Sequence, residues 1–260
     1  MVPEPEIDRL SPCRRPPGPC LMYQKWSWLL FLHWEVPAEA LRPRIPEGLE
    51  VDTYEGRAFV GLVPFTMSGI RPRGFPAVRA LSDFHETNVR TYVHRRGRDP
   101  GVWFFSLDAA QPVAARLGRW LYRLPYSVAR MSLDGKAGRG EPAEPDGRWI
   151  RHETERLSLG PVPAHARVAY RPTGSPSPAI PGTLEHFLAE RYLLYDRGPG
   201  GRLLTAAVHH APYPLQGAEV AECDENLIAS AGIVRPDTPP PLAHFARSVS
   251  VEVFPIRPVR

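Results

Sequence analysis

Between Ser82 and Met131 the chain sets a strand with polar side chains at alternate positions beside an apolar run and a helical segment. Side chains in an extended chain alternate between faces, so Phe84, Glu86, Asn88 and Arg90 share one side while Val89, Thr91 and Val93 share the other. The apolar run Gly101-Val-Trp-Phe-Phe-Ser-Leu-Asp108 follows after a loop, and a helical pattern then stops at Leu124-Pro125-Tyr126. A strand that carries Glu, Asn and Arg on one side has two outcomes. Either that side meets solvent, or it lines a cavity, and the second outcome gives the fold a pocket with chemistry in it.

The rest of the chain supplies many short strands and few helices. Tyr23 to Val36, Leu49 to Thr53 and Arg57 to Met67 are aromatic and β-branched enough for strands, with a short helix at Pro37 to Arg42. Thr87 to His94 and Val102 to Leu107 read as an antiparallel hairpin. Ala114 to Arg123 reads as an amphipathic helix with Leu117, Leu121 and Leu124 at helical spacing. Ser127 to Leu133 resumes strand character, Glu141 to Gly147 is a polar turn, and Trp149 to Leu157 with Ala164 to Tyr170 form a meander. Arg171 to Pro181 reads as loop. Thr183 caps a helix from Leu184 to about Tyr192. Short strands follow at Tyr192 to Asp196, Leu203 to His210, Gly217 to Cys223 and Ser248 to Phe254. With 32 prolines in 260 residues, this pattern predicts an α+β, mainly β fold: an antiparallel β-barrel or strongly bent sheet with a few covering helices. The proline-rich residues 1–20 are expected to be a flexible lead-in and residues 21–260 one domain.

Composition excludes several classes. The longest apolar candidate, Trp26 to Trp34, contains His33 and falls short of the ~20 residues that span a bilayer. The acidic start, Glu4, Glu6 and Asp8, lacks the order of a secretory signal, and a cytoplasmic protein with no membrane partner is expected. Net charge is +4, and Lys25 and Lys136 are the only lysines. Arginine clusters at Arg71, Arg73 and Arg79 and at Arg95-Arg96-Gly97-Arg98 read as solvated loops rather than a nucleic-acid surface. Cys13, Cys20 and Cys223 are too few and too scattered for a disulfide framework. No histidine spacing advertises a metal, and no phosphate-binding or dinucleotide motif is present, so no cofactor is expected. His33 reads as a hydrogen-bonded core residue. His209 and His210 point to opposite sides of their strand, so at most one faces a cavity.

Trp34 to Asp52, Val63-Pro-Phe-Thr-Met67, Glu86-Thr-Asn-Val-Arg-Thr-Tyr-Val93, Trp103-Phe-Phe-Ser-Leu-Asp108, Leu124-Pro-Tyr126, Ala129-Arg-Met131 and Val208-His-His210 together strongly resemble the uncharacterised YqjF-like family. The resemblance covers nearly everything after Tyr23. That family is similar, at a distance, to acetoacetate decarboxylase, which implies a β-barrel around a deep internal pocket. In that enzyme a Gly-Arg pair begins a helix and Pro-Lys follows. Gly118-Arg119 and Pro125-Tyr126 stand in the same order and spacing, so Tyr126 takes the place of the Schiff-base lysine. A phenol cannot form an imine, and acetoacetate decarboxylase activity is therefore not expected. Glu86 matches one site glutamate of the enzyme, whereas the positions of its other glutamate, near Phe59 to Gly61, and of its arginine, near Ser27, are not matched.

These readings nominate Glu86 and Tyr126 as catalytic residues, and Phe84, Asn88, Arg90, Arg130 and His209 as ligand-binding residues. The expected partner is a small, anionic organic molecule, with homo-oligomer formation also open. Arg90 would hold the anionic group while Glu86 or Tyr126 acts as acid or base. The alternative is a non-catalytic domain in which Glu86 and Arg90 form a buried ion pair that closes the barrel. Arg191 and Tyr195 can reach the pocket mouth or anchor the preceding helix.

Overall fold

The computed structural model describes residues 7–121, 124–135, 148–157 and 163–259. The expected turn at 141–147 and Lys136 lie outside them. Strands β1 (Met22–Val36), β2 (Glu50–Val51), β3 (Ala58–Pro72), β4 (Phe84–Arg95), β5 (Arg98–Ala109), β6 (Tyr126–Asp134) and β7 (Ile150–Arg156) fill the first part. Strands β8 (His165–Ser177), β9 (Leu193–Arg197), β10 (Leu203–His209), β11 (Leu215–Glu225), β12 (Leu242–Val253) and β13 (Arg257–Pro258) complete the set. The helices are short: α1 (Ala38–Leu41), α2 (Arg79–Ser82), α3 (Pro112–Leu121), α4 (Leu184–Ala189) and α5 (Leu227–Ser230).

All the strands join one sheet, in the order β13-β10-β9-β5-β6-β7-β8-β11-β12-β1-β3-β4-β2, with further pairings of β4 with β5 and β10 with β12. The β4–β5 pairing closes a ring through β6, β7, β8, β11, β12, β1 and β3. The β10–β12 pairing closes a second ring through β9, β5, β4, β3 and β1. The two rings share the wall β12-β1-β3-β4-β5, so both sides of these strands are covered, and β4 is buried without interruption from Glu86 to Val93. Most neighbours are antiparallel, and β5 runs parallel to both β6 and β9.

The shared wall sorts its side chains by alternation. Leu30, Leu32 and Trp34 of β1, Val60 and Leu62 of β3 and Val89 and Val93 of β4 pack with Leu133, Ile150, Val168, Tyr170 and Phe245 in a filled core inside the first ring. Leu29 and Phe31, Val63 and Phe65, and Phe84 face the second ring. Trp28, with φ 56°, sits in a register break between Ser27 and Leu32 and shifts the parity of β1. Met22, Gln24 and Trp26 before it, and Leu29 and Phe31 after it, therefore all line the second ring.

The β4–β5 hairpin turns through Arg96 and Gly97, both at positive φ (49° and 73°), the signature of a two-residue type I′ turn whose twist matches the strands. This makes β5 begin at Arg98, four residues before the Val102 start read from sequence. Strand β8 likewise runs through the expected loop to Ser177, pairing Pro172 with Ala218 and Thr173 with Gly217 of β11. Its other neighbour, β7, pairs only as far as Tyr170, so beyond that point a proline on the open edge loses no ladder bond. Thr183 caps α4 as expected, its hydroxyl accepting from the His186 N–H at 3.3 Å.

Residues 7–20, expected to be loose, are held against the barrel. The Arg9 guanidinium pairs with buried Asp52, and Arg15 donates to both carboxylate oxygens of Glu252 at 2.6 and 3.0 Å. Charge pairing thus attaches a segment that has too few apolar side chains to attach itself. No helix among the described residues is long and apolar enough to cross a membrane.

Candidate functional site

The second ring encloses a cavity of about 400 Å³, within the size range of small-molecule sites. Its walls are almost entirely apolar. The polar exceptions are Glu86, Asn88 and Arg90, in a row along β4, Tyr126 from the start of β6, Gln24 of β1 and Arg191 after α4. The row faces a cavity because the opposite side of β4 is packed into the filled core. One end is closed by Tyr213, Phe31 and the segment after α4. The other opens between α2 and α3, where Val78, Leu81, Val113 and Leu117 are both cavity wall and solvent-exposed.

Glu86 is 2% exposed, and the Tyr126 hydroxyl donates to its Oε2 at 2.9 Å. Burial pushes the Glu86 carboxyl up to about 8, with Asp108 adding to the rise and the Tyr126 hydrogen bond opposing it. At neutral pH Glu86 is therefore mostly a neutral acid. Tyr126 occupies the acceptor side of the carboxyl, which leaves the acid O–H to donate elsewhere. The Tyr126 ring lies directly on α3. A Cβ on Gly118 would stand 2.6 Å from ring carbons Cδ2 and Cε2, so the glycine makes room for the phenol.

Arg90 sits at the closed end, 8% exposed. Its Nη2 donates to Leu188 O at 3.1 Å, near the C-terminus of α4, and its guanidinium lies 5.4 Å from the Phe31 ring centre. Tyr92 donates to the same carbonyl at 2.6 Å and lies 2.6 Å from His33 Nε2. The phenol's proton goes to the carbonyl, so His33 must donate from Nε2 to the Tyr92 oxygen. Burial holds His33 well below its ordinary value, with Arg90 next among the causes, consistent with a neutral ring in the core. A Cβ on Gly61 would meet that ring at 3.0 Å.

Arg90 has no carboxylate partner among the described residues, and its Nε, like Oδ1 of Asn88, is buried without a hydrogen bond. The Glu86–Arg90 ion pair of the alternative, non-catalytic reading is absent. Four residues of strand separate their backbones by roughly 13 Å, too far for direct contact at right angles to the sheet. Arg191 also reaches the cavity wall, but it is ion-paired: Nη1 donates to Asp52 at 2.7 Å and Nε to Phe187 O at 2.7 Å, with Nη2 buried without a hydrogen bond. Arg9 and Arg191 thus share the carboxylate of Asp52, and buried Glu190 at the same end accepts from the Tyr213 N–H and the Tyr192 hydroxyl.

The structure brings together Phe84, Glu86, Asn88, Arg90 and Tyr126, and leaves two of the nominated residues outside. Arg130 is on the same side of β6 as Tyr126 but four residues further on, past the end of the cavity. Its side chain is exposed and pairs with Glu155 across to β7 at 2.7 Å. His209 follows the cavity residue Val208 on β10 and so points away, 3.7 Å from Glu252. His210 is buried instead, 4.5 Å from the Tyr192 ring and 4.4 Å from that of Tyr213. Its Nδ1 donates to Ala211 O. Burial pulls it down to about 4, so it serves as a neutral packing group. Tyr195 anchors rather than lines, donating to Asp99 O at 2.6 Å. Asp108, the end of the apolar run, is paired with Arg156 through both oxygens at 2.7 and 2.8 Å and ties the strands together. Tyr213, Phe104 and Leu117 were missed as wall residues, since nothing local in the sequence marks which ring a side chain faces.

Residues 23–250 match the family DUF2071, described as an uncharacterized conserved protein. The chain is 37% identical over 243 residues to the uncharacterized protein YqjF of Bacillus subtilis (strain 168), covering 93% of this chain and 94% of that protein. Among solved structures, an acetoacetate decarboxylase-like enzyme from Sphingomonas wittichii RW1 superposes with a TM-score of 0.61 at 12% identity, over 94% of each chain. Acetoacetate decarboxylase from Legionella pneumophila gives 0.58 at 13% identity, covering 94% of this chain and 88% of that one. The enduracididine biosynthesis enzyme MppR complexed with pyruvate gives 0.60 at 14%, covering 93% and 91%. At these identities the shared property is the acetoacetate decarboxylase-like fold.

Proposed function

Because this chain belongs to the DUF2071 family, which includes YqjF, and has an acetoacetate decarboxylase-like fold, we propose that it works through the cavity, binding a small organic anion on Arg90 and exchanging a proton with it through Glu86 and Tyr126. The observation that carries this reading is a buried guanidinium facing an apolar cavity with no carboxylate partner among the described residues. An unpaired charge in such a site is costly, and a bound carboxylate on the Arg90 fork relieves it. MppR, with a similar fold, is complexed with pyruvate, itself a small carboxylate.

The chemistry open to the site is acid–base rather than imine chemistry. By the sequence resemblance Tyr126 takes the position of the decarboxylase's Schiff-base lysine, and Lys25 follows the cavity residue Gln24 on the opposite side of β1. Glu86, held neutral by burial, is suited to donate its proton to a ligand oxygen. Once ionised, it can accept a proton back, with Tyr126 stabilising the carboxylate. Acetoacetate decarboxylase activity is not part of this function.

Calorimetric titration with acetate, pyruvate, butyrate and hexanoate tests the anion site. We expect saturable binding of at least one of these by the native chain, and a loss of at least tenfold in affinity in Arg90→Met, which keeps the length of the side chain. Binding that is equal in both proteins, or no binding to either, overturns the proposal.

A further inference from the structure

The positions of the polar groups along β4, taken with the walls and the mouth, describe the shape of the molecule that fits. Building on the anion reading above, we propose that the ligand is an amphipathic chain carboxylate. Its head lies on Arg90 at the closed end, its middle passes Glu86, and its apolar tail runs out between α2 and α3.

Three observations support this class over a short, fully polar acid. The first is length. Phe84, next to α2 at the mouth, and Arg90, at the closed end, are six residues apart on one strand, or roughly 20 Å. An acid the size of pyruvate on Arg90 would leave most of that length empty. The second is the character of the walls. Beyond Arg90, Asn88, the Glu86–Tyr126 pair, Gln24 and the ion-paired Arg191, the space is bounded by side chains such as Leu29, Val63, Phe65, Phe104 and Val208, which gain nothing from a polar occupant.

The third is the mouth. Val78 is 56%, Leu81 46%, Val113 43% and Leu117 48% exposed although they line the cavity. Exposed apolar side chains that continue a cavity wall mark a binding groove, and a tail leaving the cavity would cover them. The segments around the mouth, residues 69–83 and 111–121, carry Arg71, Arg73, Arg79, Arg116 and Arg119 against the single carboxylate Asp83. A positive rim around an apolar opening draws in an anion that has an apolar body. The arginine cluster read from sequence as a solvated loop thus gains a role in approach rather than in contact.

The test is a chain-length series of straight-chain acids, acetate, butyrate, hexanoate, octanoate and decanoate, titrated by calorimetry into the native chain, Arg90→Met and Leu117→Glu. Affinity is expected to rise about fourfold per added methylene while the chain is still entering the cavity, and to level off when it reaches the mouth. Leu117→Glu, at an exposed position, is expected to weaken decanoate at least tenfold and butyrate less than twofold. If butyrate binds through Arg90 but lengthening brings no gain, the chain-carboxylate inference is wrong and the anion site stands. If no acid of any length depends on Arg90, both are wrong.

Discussion

At the residue scale, Glu86 decides what the cavity can do, because its protonation state sets whether it donates or accepts. Its carboxyl is raised from an ordinary 4.5 to about 8, with burial the leading cause. An acid with a raised folded-state value holds its proton in the native chain after the unfolded chain has released it. Stability contributed at this position is therefore complete below about pH 4.5, falls as pH rises toward about 8, and is lost beyond. The full loss is on the order of a few kcal/mol. Glu86→Gln removes the titration while keeping a carbonyl oxygen for Tyr126. Urea unfolding midpoints from pH 4.5 to pH 9 are expected to agree at the acid end and to favour the variant increasingly toward the alkaline end. Parallel profiles would show that Glu86 is already ionised in the folded chain.

At the element scale, β6 and α3 meet where the ring of Tyr126 lies on Gly118. Replacing an interior helix glycine by alanine ordinarily stabilises by about 1 kcal/mol. Here the added methyl would stand 2.6 Å from two ring carbons, so the phenol must move and its bond to Glu86 must lengthen. Gly118→Ala is expected to give no gain in stability. It should also raise the Glu86 titration further, since the Tyr126 hydrogen bond is the influence that lowers it. Carboxyl carbon resonances of labelled glutamate followed against pH report this directly. A stabilised variant with an unchanged Glu86 titration would show that the ring contact does not position Tyr126. How much of the site the sequence reveals follows from the same geometry. The row Glu86, Asn88, Arg90 is legible because period-two alternation depends on nothing outside the strand. The partnership of Glu86 with Tyr126 becomes legible only through the family resemblance, since it is made by the parallel β5–β6 pairing between segments separated by α3. Arg130 and His209 misled because alternation gives a side but neither where a cavity ends nor which of two sides is hollow. Asp52 and Arg191, which hold the closed end, lie 139 residues apart with no local pattern to link them.

At the scale of the whole molecule, two rings with a common wall divide the work of stability and function. The filled ring, with Tyr170, Phe245 and Trp34 at its centre, anchors the shared strands, and the hollow ring uses their other sides for the cavity. The mainly β composition predicts a barrel or bent sheet, but not the double closure, which depends on where β10 meets β12. Adjacent leucines on β1 test the division. Leu30 is fully buried in the filled core, while Leu29, 2% exposed to solvent, borders the cavity. Leu30→Ala leaves a new void among tightly packed neighbours and is expected to cost about 3–5 kcal/mol. Leu29→Ala enlarges a space already present, where the side chain has fewer contacts to lose, and should cost less than about 2.5 kcal/mol. The two urea midpoints at one pH check the order, and equal losses would mean that the two sides of the wall are packed alike. The same pair separates stability from binding: Leu29→Ala should alter the chain-length profile for carboxylates, whereas Leu30→Ala should leave it in place wherever the chain remains folded.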